Sequence, residues 1–210
     1  MMTNDLLTIE NGVLTEHFLS SEADEHRIAL PRKVISIGEK VFCGSQNVAA
    51  VTIPGSVRSI QSCAFQSCTG LESIVIPGSV DTVGSLAFEY CESLRTAILA
   101  EGIRNVEFSA FSNCKKLKNL SLPTSLGFIG EGAFFSCESL ETVVIPENVR
   151  SLPESVFGYC ENLAVAVLPE SVKSIDESAF EGCDKLVIHA PAGSYAIEFA
   201  KAHNISFAEL

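Results

Sequence analysis

Apolar residues return along this chain in fixed columns. Phe stands at 42, 65, 88, 111, 134, 157 and 180, each 23 residues after the last. Aliphatic columns keep the same step: Leu71, Leu94, Leu117, Leu140, Leu163 and Leu186 form one, and Ile53, Ile76, Leu99, Leu122, Ile145 and Leu168 another. Val34, Val57, Val80, Ile103, Leu126, Val149 and Val172 make a third, and Ile37, Ile60, Val83, Val106, Ile129, Leu152 and Ile175 a fourth. A constant period of this length predicts a solenoid, whose units bury their apolar faces only against one another. Within a unit, the alternation Leu94-x-x-Ala97-Ile98-Leu99 predicts a short strand with one buried face. Pro31, Pro54, Pro77, Pro123, Pro146 and Pro169 end these strands by removing a ladder donor, with Ala100 the exception. After a turn at Gly78-Ser79, Val80 and Val83 point inward, and Ala87-Phe88-x-x-Cys91 has the spacing of one helical or 3₁₀ turn.

An open stack needs closed ends, because terminal coils expose apolar surface and unpaired edges. Asn11-Gly12, flanked by Leu7, Ile9, Val13 and Leu14, predicts a hairpin at the N-terminal end. Leu19 to Asp24 reads as a surface loop before a strand around Arg27–Leu30. At the other end Ser194 can N-cap a helix over 195–203 that turns Tyr195 and Phe199 to one side, with Asn204 as its stop and Phe207 in a final strand. The expected organisation is one domain over 1–210: a cap over 1–25, seven repeats over 26–186 and a second cap over 187–210.

The unit Leu-x-x-Ile-x-Ile-Pro-x-Ser-Val-x-x-Ile-Gly-x-x-Ala-Phe-x-x-Cys, carried for example by residues 71–91, resembles the BspA-like, or Treponema pallidum-type, leucine-rich repeat family. The resemblance covers roughly residues 26 to 190 and extends to both end caps. It implies an α/β repeat solenoid, right-handed, with short parallel strands on one side and 3₁₀ or short helical turns opposite. It also implies a non-enzymatic protein-binding module, adhesin-like where family members are displayed on the surfaces of host-associated bacteria. No catalytic residue is carried over, since the motif holds none.

Chemistry adds little to this picture. Of eight cysteines, six form a column three residues after each Phe, at 68, 91, 114, 137, 160 and 183, with Ser45 in the first copy. They are expected as inward-packed free thiols that satisfy a neighbouring backbone group, because parallel Cβ vectors do not converge as a disulfide requires. Cys43 and Cys63 fall off the column and are expected to be exposed and oxidisable. Ser112-x-x-Lys115 has the spacing of some acyl-transfer motifs without their companions. His17, His26, His189 and His203 form no metal-binding spacing, and Cys63-x4-Cys68 has no second ligand pair. Gly38, Gly84 and Gly130 recur with the repeat as tight-turn markers rather than as a phosphate loop. No cofactor is expected.

The columns left free by stacking are the candidates for function. Thr52, Val75, Ile98, Ser121, Val144 and Val167 are expected to form a stripe on the open strand face, with Thr96, Asn119 and Thr142 beside it; both rows are small or β-branched and uncharged. A protein ligand on this face is one reading, and an intracellular scaffold without a dedicated ligand site is the alternative. With 26 acidic and 14 basic residues the chain carries −12, which disfavours nucleic acid. Residues 131–184 hold eleven acidic and two basic residues, stacked in register as Glu131, Glu154 and Glu177, or Glu138, Glu161 and Asp184. The longest apolar run, Leu163 to Leu168, is far short of the ~18 residues of a membrane span. Without a basic, then apolar, leader the sequence as given reads as cytoplasmic, or as surface-displayed if a native signal is missing. A monomer is favoured.

Overall fold

The computed structural model describes residues 6–18 and 25–210; the predicted loop from Leu19 to Asp24 lies outside them. Strands β1 (Leu6–Glu10) and β2 (Val13–Phe18) pair antiparallel around Asn11 and Gly12, whose φ values of 50° and 83° give the mirror-image turn that the Asn-Gly pair predicts. The chain then winds upward in coils, each adding one strand to each of two parallel rows. The first row runs through β3 (His26–Ala29), β5 (Val48–Thr52), β7 (Ser73–Ile76), β9 (Thr96–Leu99) and β11 (Asn119–Ser121). It resumes at β13 (Thr142–Val144), β15 (Val165–Val167), β17 (Val187–Ala190) and β18 (Ser206–Glu209). The second row, of two-residue strands, adds to β2 in the order β4 (Ser36–Ile37), β6 (Ser59–Ile60), β8 (Thr82–Val83), β10 (Asn105–Val106) and β12 (Phe128–Ile129). It resumes with β14 (Ser151–Leu152) and β16 (Ser174–Ile175).

The Phe side forms a third row, built from turns. From Phe42 to Phe157, residues two before and two after each Phe take left-handed φ near +50° to +75°, for example Lys40, Cys63, Leu86 and Ser109 before and Ser67, Tyr90, Asn113 and Ser136 after. These reversals replace the helical turn that the Ala-Phe-x-x-Cys spacing predicts. Each costs a non-glycine residue about 1 kcal/mol, which a coil-to-coil hydrogen bond offsets. Cys63 N–H donates to Ser85 O at 2.9 Å, Phe65 N–H to Ala87 O at 2.7 Å and Ser67 N–H to Glu89 O at 2.7 Å, so every second residue bonds to the next coil. The same Phe-to-next-coil bond recurs from Phe42 to Phe157 at 2.7–2.9 Å.

Inside this row the phenyl rings stack nearly parallel, tilted 5–10° from one another, with centroids 4.8 Å apart for Phe42 and Phe65 and 5.7 Å for Phe157 and Phe180. Each ladder thiol seals the stack. Cys91 Sγ donates to Phe65 O at 3.2 Å, and the contact repeats from Cys68 to Cys183. All eight cysteines are free, as the parallel geometry demands. A serine two residues after the proline gives a further tie: Ser56, Ser79, Ser125 and Ser171 each donate Oγ–H to the carbonyl 22 residues earlier, at 2.7–3.1 Å. Gly84 and Gly130 do not mark left-handed turns. A Cβ there would meet Ile60 O at 2.7 Å or Phe108 N at 2.6 Å, so close approach of the previous coil selects glycine.

The ends are closed in different ways. His17 lies 4.5 Å from the Phe42 ring and takes the place of a phenyl at the start of the stack. Its Nδ1–H donates to Val41 O at 2.6 Å, which leaves Nε2 to accept from the Ser45 hydroxyl at 3.0 Å. At the C-terminal end α1 (Tyr195–Ala202) buries Ala196, Ile197, Phe199 and Ala200, and β18 pairs with β17. Tyr195 is exposed rather than sharing the buried face with Phe199. Ser194 occupies the N-cap position, but its Oγ is buried and makes no capping bond; its backbone carbonyl starts the helix instead. Asn204, at φ 57°, ends it.

The expectation for Cys43 and Cys63 is half right. Cys43 is exposed, whereas Cys63 is buried at the left-handed position before Phe65. Burial pushes the thiol pKa of Cys63 up, and pushes those of Cys91, Cys114 and Cys160 well up. Burial likewise takes Cys137 up to about 12 and Cys183 to about 11.

Phe134→Ala leaves a cavity between two stacked rings and is expected to lower the unfolding free energy by about 3 to 5 kcal/mol in urea titration; a near-neutral result overturns the stacking account. A second expectation concerns pH. Raised folded-state pKa values contribute stability that is complete below the unfolded thiol value and is lost as pH climbs to the folded ones. The urea midpoint should therefore be level to about pH 8.5 and fall between about pH 9 and 12, less steeply in Cys137→Ser, whose hydroxyl does not ionise there. Equal falls in both proteins remove the thiols as the cause.

Candidate interaction surface

Strand alternation turns every second residue of the first row outward. Thr52, Val75, Ile98, Ser121 and Val144 are exposed and Val167 is half-buried, with Val144 at 63%, Val75 at 55% and Ile98 at 41% of full accessibility. The rows run in register: Val75 faces Ile98, Ile98 faces Ser121, and Val144 faces Val167. Beside this stripe Thr96 pairs with Asn119, whose Nδ2–H donates to Thr96 Oγ1 at 3.3 Å, while Thr142 pairs with Val165. None of these positions carries a charge, and the hydroxyls and one amide lie beside the apolar side chains. Such a strip can exclude water from a partner's apolar residues and still offer hydrogen bonds at its margin.

The stripe is not continuous. Ser121 and Val144 occupy equivalent positions in successive coils, yet β11 and β13 form no ladder. Shallow clefts open on either side of this gap, one lined by Leu120, Ser121, Leu122, Val144 and Pro146, the other by Ile98, Lys118, Asn119 and Thr142. Leu120 and Leu122 are only partly buried here, whereas their counterparts Ala97 and Leu99 in the coil before, and Val143 and Ile145 in the coil after, are buried at 0–2% accessibility. The 23-residue period gives no hint of this break.

The acidic columns stand on the outer surface, with Glu131, Glu154 and Glu177 exposed in one and Glu161 and Asp184 in another. Lys115 enters the second column at the charge boundary, 3.2 Å from Glu138, and this carboxylate, followed by those of Glu92 and Glu161, holds its ammonium pKa above the usual value. Glu181 accepts from the Tyr159 hydroxyl at 3.0 Å and raises that phenol's pKa. No group of three or more metal-ligating side chains occurs among the described residues. The Ser112-x-x-Lys115 pair does not converge: Ser112 Oγ is buried and accepts from Asn113 Nδ2 at 2.9 Å, while Lys115 turns outward to Glu138. A feature without a sequence signal is Glu101. Its carboxylate accepts from the Thr124 N–H at 2.8 Å, the Thr124 hydroxyl at 3.0 Å and the Ser125 N–H at 3.3 Å, and these bonds hold its pKa below the ordinary carboxylate value. No described helix is long and apolar enough to cross a membrane.

Comparison with known proteins agrees with this architecture. The family model of the BspA type leucine rich repeat region, in six copies, matches residues 16–109 and 97–199. The crystal structure of the T. pallidum leucine rich repeat protein TpLRR is similar at TM-score 0.80 and 27% identity, over 97% of this chain and 94% of that one. A leucine-rich repeat protein from Bacteroides ovatus matches at TM-score 0.63 and 25% identity, over 88% of this chain and 54% of its own. Another from Eubacterium ventriosum shares the fold at TM-score 0.71 and 22% identity, over 84% and 49%. This chain thus spans about half the length of the latter two. No curated protein matches it. With the family model covering most of its length, the chain belongs to the BspA type leucine-rich repeat family.

Proposed function

We propose that this solenoid is a protein-binding module that holds its ligand on the strand face and the loops beside it. The observation that carries the reading is the uncharged stripe of Thr52, Val75, Ile98, Ser121, Val144 and Val167, flanked by Thr96, Asn119 and Thr142. Exposed β-branched residues favour a strand whatever its role. That preference is met by threonine alone, however, and does not account for Val75, Ile98 and Val144 lying 41–63% open to water in one line. Exposed apolar residues aligned in this way cost solubility and are more often kept where a partner covers them.

The partner's chemistry follows from the surroundings. Apolar side chains would meet the stripe, and basic residues at the partner's margin would face the acidic columns of residues 131–184, whose net charge of −9 also speeds the encounter at low salt. If the chain is displayed on a cell surface, this amounts to an adhesin-like role.

Ile98→Asp with Val144→Asp places two carboxylates on exposed positions and should leave the unfolding free energy from urea titration within about 1 kcal/mol of the parent. Affinity capture from native lysate and from host extracellular material is expected to yield a partner with the parent chain and to lose it, by at least about 100-fold in affinity, with the double variant. Equal capture by both, with the fold intact, rules the strand face out.

A further inference from the structure

One junction between coils differs from all the others. β11 and β13 do not pair, and neither do β12 and β14, so both strand rows stop at the same level. The separation opens on the first row, where most Cα pairs between β11 and β13 lie farther than 8 Å apart, against ~4.8 Å in a paired ladder; β12 and β14 lose their ladder bonds but stay within 8 Å for the most part. Two departures from the repeat stand at this level; Pro153 removes a donor outright, and Asn148 only adds to it, since the serine column is also broken at Gly102, where both ladders continue. At the position after the second-row strand, Gly84 N–H donates to Ile60 O at 3.0 Å, Glu107 N–H to Val83 O at 3.0 Å and Gly130 N–H to Val106 O at 2.8 Å; the next residue in this column is Pro153, which has no N–H to give Ile129. In the column of ladder serines, Asn148 stands where Ser125 and Ser171 bond to the coil before, and its Nδ2 reaches Thr124 O at 2.8 Å instead.

The third row does not stop. Across the same junction Gly132 N–H donates to Glu154 O at 2.9 Å, Phe134 N–H to Val156 O at 2.9 Å and Ser136 N–H to Gly158 O at 2.8 Å, and the rings of Phe134 and Phe157 remain stacked at 5.4 Å. On the open side the charged ties near the gap, among the described residues, are exposed ion pairs, Lys118 to Glu141 at 2.6 Å and Lys115 to Glu138 at 3.2 Å.

We infer that the solenoid is two stiff stacks hinged at this junction, with the Phe134 and Phe157 turns as the hinge and the two lysine–glutamate pairs as a salt-sensitive clasp. Parallel ladders resist bending because every coil is bonded along both strand rows; here the turn row, one backbone bond from Ser139 N–H to Lys115 O at 3.0 Å and a few side chains resist, so the angle between the two stacks can change while the Phe row stays intact. Exposed ion pairs are screened by salt, so the clasp weakens as ionic strength rises. The strand stripe is thereby divided into Thr52–Ser121 and Val144–Val167, and a ligand that touches both parts selects one hinge angle. This consequence rests on the strand-face reading above; the hinge does not.

Paired nitroxide labels test it without any ligand. In a Cys43→Ser background, which leaves the buried thiols unlabelled, cysteines at Ala29 and Ser121 lie four coils apart within the first stack, and cysteines at Thr52 and Val144 lie four coils apart across the junction. Pulsed dipolar spectroscopy should give the second pair a mean distance longer by about 3 Å and a broader distribution, which widens further between low and high salt. Adding Pro153→Gln and Asn148→Ser should restore the missing bonds and bring the second pair to the distance and width of the first. Equal widths for the two pairs in the starting background, or a width indifferent to salt, overturn the hinge; an unchanged distance after restoring both residues overturns the assignment of its cause. Failure of partner capture leaves all of these readouts unaffected, so the hinge and the binding face stand or fall separately.

Discussion

The coil-to-coil bonding of the Phe turns is the constraint on which this structure depends. Three amides per turn donate to the next coil, the phenyl beneath them stacks on its neighbours, and the thiol that follows closes onto the Phe carbonyl of the coil before. The three contacts are mutually enforcing. The left-handed residues on either side of Phe would be unfavourable alone, and they persist because they aim alternate N–H groups along the solenoid axis. Stacking of the rings fixes the spacing at which those bonds form.

From this row the rest of the molecule follows. The strand rows supply a regular outer face, and their side chains vary because the turn row already holds the coils together. Where the ladders between β11 and β13 and between β12 and β14 are interrupted, the turn row keeps its order. The same tolerance lets the acidic residues stack in columns on the second half. They are exposed to water, and their repulsion is borne by a scaffold bonded from within.

The family relationship places the scaffold, while the particular surface belongs to this chain. The structure of the T. pallidum protein matches nearly end to end at 27% identity, which is what a fold held by a few repeating columns permits. Residues outside those columns are free to diverge, and they include every member of the strand stripe. Function therefore has to be argued from that stripe rather than from the fold.

How much was legible beforehand depends on whether a residue acts through its own coil or through its relation to the next. The Phe, ladder Cys and aliphatic columns read inward from their period alone, and all but Leu122 are buried; the Asn-Gly hairpin was legible because two left-handed residues leave few alternatives. Burial of Cys63 was not legible, since the same position carries Lys, Leu, Ser or Gly in the other copies. Nor was the unmade cap at Ser194 or the exposure of Tyr195, because helix geometry does not say which face the last coil will cover. A period, an inside and two closed ends can be read from the chain, since burial of apolar columns repeats with it. The ladder of left-handed turns on the Phe side and the interruption of both strand rows at one level emerge only when the coils stack. Those features reside in hydrogen bonds between residues 22 to 24 positions apart, which no single repeat contains.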